Sequence, residues 1–210
     1  MALDLEEQEQ LANLKAWWKD HGGGIVLVVV AAAVTLSGWW GWSAYRNVQV
    51  AEASALYETL LKAAEAGDAK VVRDSGGALA EGYANRLQAS MGALVQARFY
   101  FDRGDLKSAR AQLQWVIERS PSAEFRDLAR LRLAAVLLDE KDYAAALATL
   151  ETAPAAPFVA QYAAMKGDVL VAQKQSAQAA SAYRVALDKA GKNDQAFVES
   201  VRIRLEALGG

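Results

Sequence analysis

The chain has 210 residues, no cysteine, one histidine and a formal net charge of −2. Without thiols it can hold no disulfide, iron–sulfur cluster or thiolate zinc site. From Ala51 onward 20 Lys and Arg balance 20 Asp and Glu, which leaves neither the basic surface of a nucleic-acid binder nor an acidic tail.

Residues 1–20 form a leader with a partial apolar face at Leu5, Leu11, Leu14, Trp17 and Trp18. This spacing suits a short helix lying at a membrane surface. His21-Gly22-Gly23-Gly24 is expected to break or loosen the helix at the membrane boundary. His21 has no second histidine and no cysteine for company, so it reads as a solvated boundary residue and not a ligand.

Residues 21–45 carry the feature around which the rest is arranged. No charged residue falls between Gly24 and Tyr45, and a helix of that length, rising about 1.5 Å per residue, spans a hydrocarbon core of about 30 Å. Trp17 and Trp18 before the run, and Trp39, Trp40, Trp42 and Tyr45 at its far end, are the amphipathic rings that anchor at headgroup depth. A cleaved signal peptide begins with a short basic region and a shorter apolar core. Here the leader carries Asp4, Glu6, Glu7 and Glu9, so an uncleaved anchor is expected, single-pass in a lipid bilayer. Lys15 and Lys19 precede the span and Arg46 follows it. This bias slightly favours an amino end in the cytoplasm.

After Tyr45 there is no glycine or proline until Gly67, so the helix is expected to run on through 46–88 into a degenerate first repeat near Leu60 and Val72. Gly104-Asp105 and Lys141-Asp142 lie 37 and 74 residues after Gly67-Asp68, and Lys174-Gln175-Ser176 comes 33 residues later again. Each of the last three turns has a small residue seven before it and five after it: Ala97 and Ala109, Ala134 and Ala146, Gly167 and Ala179. Four residues further on stands a large one, Leu113, Leu150 or Tyr183. Small residues there let antiparallel helices approach closely, and the large one fills the gap to the next hairpin.

The pattern resembles the tetratricopeptide repeat, best between Ser90 and Pro121, where Ala97, Tyr100, Ala109, Leu113 and Pro121 stand at small, Tyr, Ala, large and Pro positions. The early Trp of that repeat is absent. The expected fold is therefore all-α: one transmembrane helix, then a tetratricopeptide-like solenoid of helical hairpins over 89–191. A capping helix is expected in 192–210, with Phe197, Val201, Ile203, Leu205 and Leu208 as its apolar set.

No phosphate-binding Gly-rich loop, nucleophile elbow or metal-ligand spacing occurs. Catalytic residues, metal ligands, cofactors and a small-molecule substrate are not expected, and the chain reads as no enzyme. Arg126, Arg130 and Arg132 lie on one helix near Glu124 and Asp127 and read as a solvated face. In a repeat solenoid the first helices line the concave side, which makes Arg98, Phe101, Leu138, Asp168 and Val171 candidates for a partner-binding groove.

The layout as a whole is similar to the YfgM family of single-pass inner-membrane proteins with a periplasmic tetratricopeptide-like domain. The likeness rests on Leu14-Lys15-Ala16-Trp17-Trp18-Lys19-Asp20-His21-Gly22 before the span, Gly38-Trp39-Trp40-Gly41-Trp42 at its far end, and Tyr83-Ala84 leading to the Leu94–Leu113 repeat. The resemblance implies a bacterial inner-membrane location, a cytoplasmic amino end and periplasmic repeats. It also implies an ancillary role at the Sec translocon, with a membrane-anchored chaperone of the peptidyl-prolyl isomerase type as partner. A second reading from the residues alone is a self-associating structural subunit of the cell envelope.

Overall fold

The computed structural model describes residues 2–191 and 194–209; positions 1, 192, 193 and 210 lie outside it, so the expected outer limits of leader and capping segment are not placed. The chain divides into two compact units, Met1–Val50 and Ala51–Gly210.

The first unit belongs to helix α1 (Ala2–Ala66). Contrary to expectation, the helix runs unbroken through His21-Gly22-Gly23-Gly24. An interior glycine is about 1 kcal/mol less favourable than alanine, a cost that the cooperative helix on either side of the three glycines can carry. Gly22 also accommodates a neighbour, because a Cβ there would stand 3.0 Å from the Trp18 indole. His21 donates from Nδ1 to the Trp17 carbonyl at 3.1 Å and stacks on the Trp17 ring. Trp39, Trp40 and Trp42 are 71, 76 and 64 % exposed. The stretch Glu9–Ala66 contains the one helix among the described residues long and apolar enough to cross a membrane, and only 6 % of its apolar window is buried by protein. A core helix of a soluble domain is mostly buried, so this apolar surface wants a lipid cover.

The second unit is all helical. After the end of α1 come α2 (Ala69–Gly82), α3 (Leu87–Phe101), α4 (Leu106–Arg119), α5 (Ala123–Asp139), α6 (Tyr143–Thr149), α7 (Val159–Ala172), α8 (Ser176–Lys189) and α9 (Gln195–Glu206). They pair as consecutive hairpins, and no strand occurs among the described residues.

The four turns picked out by their spacing share one backbone device. Gly67, Gly104, Lys141 and Lys174 all take positive φ, at 78°, 76°, 63° and 61°. In each turn that residue's N–H bonds the carbonyl three back, and the next N–H bonds the carbonyl five back, as in Asp105 to Tyr100 at 2.9 Å and Gln175 to Leu170 at 2.9 Å. This is the Schellman closure of a helix. Asp68, Asp105 and Asp142 then cap the following helix through their carboxylates. Gln175 makes no such cap. Left-handed backbone costs a non-glycine residue about 1 kcal/mol, and a missing cap about as much. Lys141→Gly, Lys174→Gly and Gln175→Asp are therefore each expected to raise stability by about 0.5–1 kcal/mol. Chemical unfolding of the full chain in detergent, followed by circular dichroism, checks this.

Between the turns, side-chain volumes trade off. Ala97, Ala109, Ala134, Ala146, Gly167 and Ala179 are all buried, as are Leu113, Leu150 and Tyr183. The degenerate first repeat inverts the sizes: Leu60 and Val72 are fully buried at the small positions, and Gly76 takes the place of the large residue. Gln96 of α3 fills the space above Gly76, where an added Cβ would collide with its amide, and its Nε2 donates to the Val72 carbonyl at 2.9 Å.

The arginine-bearing helix α5 departs from the expected solvated face. Asp127 is only 5 % exposed. It accepts from Arg130 Nη1 at 2.9 Å and from the Ala155 N–H at 2.8 Å, which fastens the Pro-containing link between α6 and α7. Its carbonyl accepts from the Tyr162 hydroxyl at 3.0 Å. Arg126 donates to the Ser120 carbonyl at 2.7 Å. Residues 130 and 132 are about 200° apart around a helix, so Arg132 faces elsewhere.

Burial, and secondarily the charge of Asp127, push the Tyr162 hydroxyl up to about 12. The folded state thus holds this proton more tightly than the unfolded one. The stability it contributes is fully present below about pH 10 and is lost as pH rises through about 12. Urea midpoints of the parent are expected to fall more steeply between pH 10 and 12 than those of Tyr162→Phe.

Helix α9 closes the stack through fully buried Val201, with Phe197, Leu205 and Leu208 against the α7–α8 cluster. Ile203, expected in that apolar set, is 58 % exposed, because it lies on the side of α9 away from α8.

Candidate functional site

The early repeats hold two adjoining cavities that share Arg98, Asp102 and Arg132. The larger, about 510 Å³, is walled by Tyr57, Leu61 and Ala64 of α1 and by Met91, Leu94 and Val95 of α3. The smaller, about 350 Å³, is walled by Ala97, Phe101, Leu113, Ala135 and Val136. On α3, residues 91, 94, 95, 98, 101 and 102 recur at three- and four-residue steps, so one helix face supplies the floor along its whole length. The result is an open apolar groove with a charged middle.

The charges in that middle are not equivalent. Arg98 donates from Nε to both Asp102 carboxylate oxygens, at 2.8 and 2.7 Å. Arg103 donates to the Gly67 carbonyl at 2.9 Å and lies 3.8 Å over the Phe99 ring. Arg132 makes no hydrogen bond or ion pair among the described residues. Arg132 as a whole residue is exposed, but partial desolvation of its guanidinium, then the Arg98 charge beside it, draws its pKa below the ordinary value, though an arginine stays protonated. Glu65 lines only the α1 end of the larger cavity.

Of the five residues proposed from sequence, the structure brings two together: Arg98 and Phe101 line the smaller cavity. Leu138 packs, half-buried, against the central core cluster. Asp168 is engaged by the Tyr183 hydroxyl at 2.8 Å and by Arg204 Nη1 at 2.9 and 3.1 Å, tying α7 to α8 and α9. Val171 is 40 % exposed near the end of α7. Sequence reasoning passed over Arg132 as a groove residue, although its offset of two from Arg130 already separates the two faces.

A family model described as a tetratricopeptide repeat-like domain matches residues 15–210. A Neisseria gonorrhoeae protein named ancillary SecYEG translocon subunit is 32 % identical over 99 % of this chain and 100 % of its own length. The chain belongs to the YfgM family of tetratricopeptide repeat-like proteins. Two further YfgM-family relatives of the same name are those of Haemophilus influenzae, 26 % identical over 93 % of this chain and 95 % of the relative, and Escherichia coli, 26 % identical over 83 % and 84 %. The family reading drawn from the tryptophan-flanked span and the repeats stands, and with it the tetratricopeptide-like fold.

Proposed function

We propose that this YfgM-family chain is a bilayer-tethered, non-catalytic interaction subunit that works beside the SecYEG translocon. The observation that carries the reading is full-length similarity to relatives bearing that name, in a chain whose repeats present an open apolar groove. Helix α1 crosses the inner membrane once, with the leader in the cytoplasm and the repeats in the periplasm. Lys15 and Lys19 on one side against Arg46 on the other support that orientation. A membrane-anchored chaperone of the peptidyl-prolyl isomerase type is the proposed partner, with Arg98 and Phe101 in the contact surface. Self-association as an envelope subunit has no comparable support.

The test is affinity purification of the tagged chain from membranes in mild detergent. Co-purification of SecY and of the isomerase-type chaperone is expected, and loss of both overturns the proposal. Topology is read separately, since the chain has no cysteine. Ala111→Cys, on the exposed side of α4, should react with an impermeant maleimide in intact spheroplasts, and Lys15→Cys only after lysis. The reverse pattern overturns the orientation.

A further inference from the structure

The groove combines two apolar stretches with one uncommitted cation between them. Arg132 borders both cavities, whereas the flanking walls are apolar: Leu61 and Leu94 on one side, Phe101 and Val136 on the other. The neighbouring acid, Asp102, is already held by Arg98. A carboxylate arriving at Arg132 meets a planar fork of donors that none of the described residues engages, Glu65 standing at the α1 end of the larger cavity. The Arg98 charge beside Arg132, which repels it in the free protein, adds to the attraction once an anion lies between them.

We infer that this groove receives a protein segment carrying an internal Asp or Glu with large apolar side chains on both sides, the carboxylate seated at Arg132. The apolar walls lie on both sides of the charge, and this decides the kind of carboxylate. A chain terminus offers apolar neighbours in one direction only and would leave the other cavity unfilled. The inference rests on the reading of the chain as an interaction subunit and specifies what it holds.

The probes are fluorescent peptides, acetylated and amidated so that no terminal charge remains, in two frames: Leu-Ala-Ala-Glu-Ala-Ala-Leu and Leu-Glu-Leu within a Gly-Ser context. Each has a Gln counterpart, and a third probe carries a free terminal carboxylate and no internal acid. Anisotropy is measured against the full chain in lipid nanodiscs. In at least one frame the Glu peptide is expected to bind about tenfold more tightly than its Gln counterpart, as a bidentate charged pair warrants. Arg132→Gln should shrink that preference to about twofold or less, the worth of an exposed rim charge, and Arg132→Lys should keep part of it. Arg184→Gln, exposed on α8 and lining neither cavity, should leave the preference intact. Circular dichroism of each variant guards against unfolding, and Arg132→Lys keeps the test decisive should Arg132→Gln fail to fold.

Equal binding of Glu and Gln peptides in both frames, an acid preference unaffected at Arg132, no binding at all, or tighter binding of the free-terminus probe each overturns the inference. Co-purification with SecY is scored independently. Its persistence alongside a flat peptide result removes only this inference, and its loss alongside a clear acid preference removes only the translocon reading.

Discussion

Gly167→Ala should destabilise the repeat domain by about 1–3 kcal/mol, lowering its thermal midpoint by about 2–4 °C for each kcal/mol in a domain of this size. An added Cβ would collide with Tyr183 Cε1, and stand 2.5 Å from Cδ1 of the same ring. That ring cannot swing aside: it is 2 % exposed, packed among Ala163, Ala164 and Ala186, and its hydroxyl is held by Asp168. The smallest residue of the α7–α8 hairpin thus faces one of its two tyrosines, and the pair is one unit of volume. In a Tyr183→Leu background, itself less stable, the further effect of Gly167→Ala should shrink by about 1 kcal/mol or more, as expected for residues in contact. Equal effects in both backgrounds would show that the collision relaxes elsewhere.

Asp127→Ala is expected to remove about 3 kcal/mol. Two donors, Arg130 Nη1 and the Ala155 N–H, lose their acceptor in a place where Asp127 is 5 % exposed, and an orphaned buried donor carries its full desolvation penalty. Asp127→Asn keeps one acceptor oxygen and should lose about half as much. The loss has a local signature, because the carboxylate holds the link between α6 and α7. Limited proteolysis of Asp127→Ala should accelerate between Glu151 and Ala155 ahead of cleavage elsewhere. Uniform acceleration across the domain would instead assign Asp127 a global role and no special hold on the link.

These two positions differ in how far they could be read beforehand. Gly167, Ala179 and Tyr183 announced themselves by recurrence at fixed offsets from a turn, and the turns themselves proved to be four copies of one left-handed helix closure at Gly67, Gly104, Lys141 and Lys174. Asp127 looked like any solvated acid among arginines. Its burial depends on a link 28 residues away folding back onto α5, and no local pattern records that return. Gln96 is a similar case, since only the packing of α3 on α2 shows that it fills the volume missing at Gly76.

The order of residues was enough to establish the uncharged Gly24–Tyr45 run with its tryptophan flanks, the helical hairpins, their four turns and the family. All of these depend on length, periodicity and spacing along the chain, which local backbone chemistry reads directly. What required the folded domain was the long-range pairing of charges: Asp168 satisfied by Arg204 from α9, and Arg132 left open between two apolar walls. Charge partners are chosen by helices brought together from distant parts of the chain, and a guanidinium is committed or free only once every neighbour is in place.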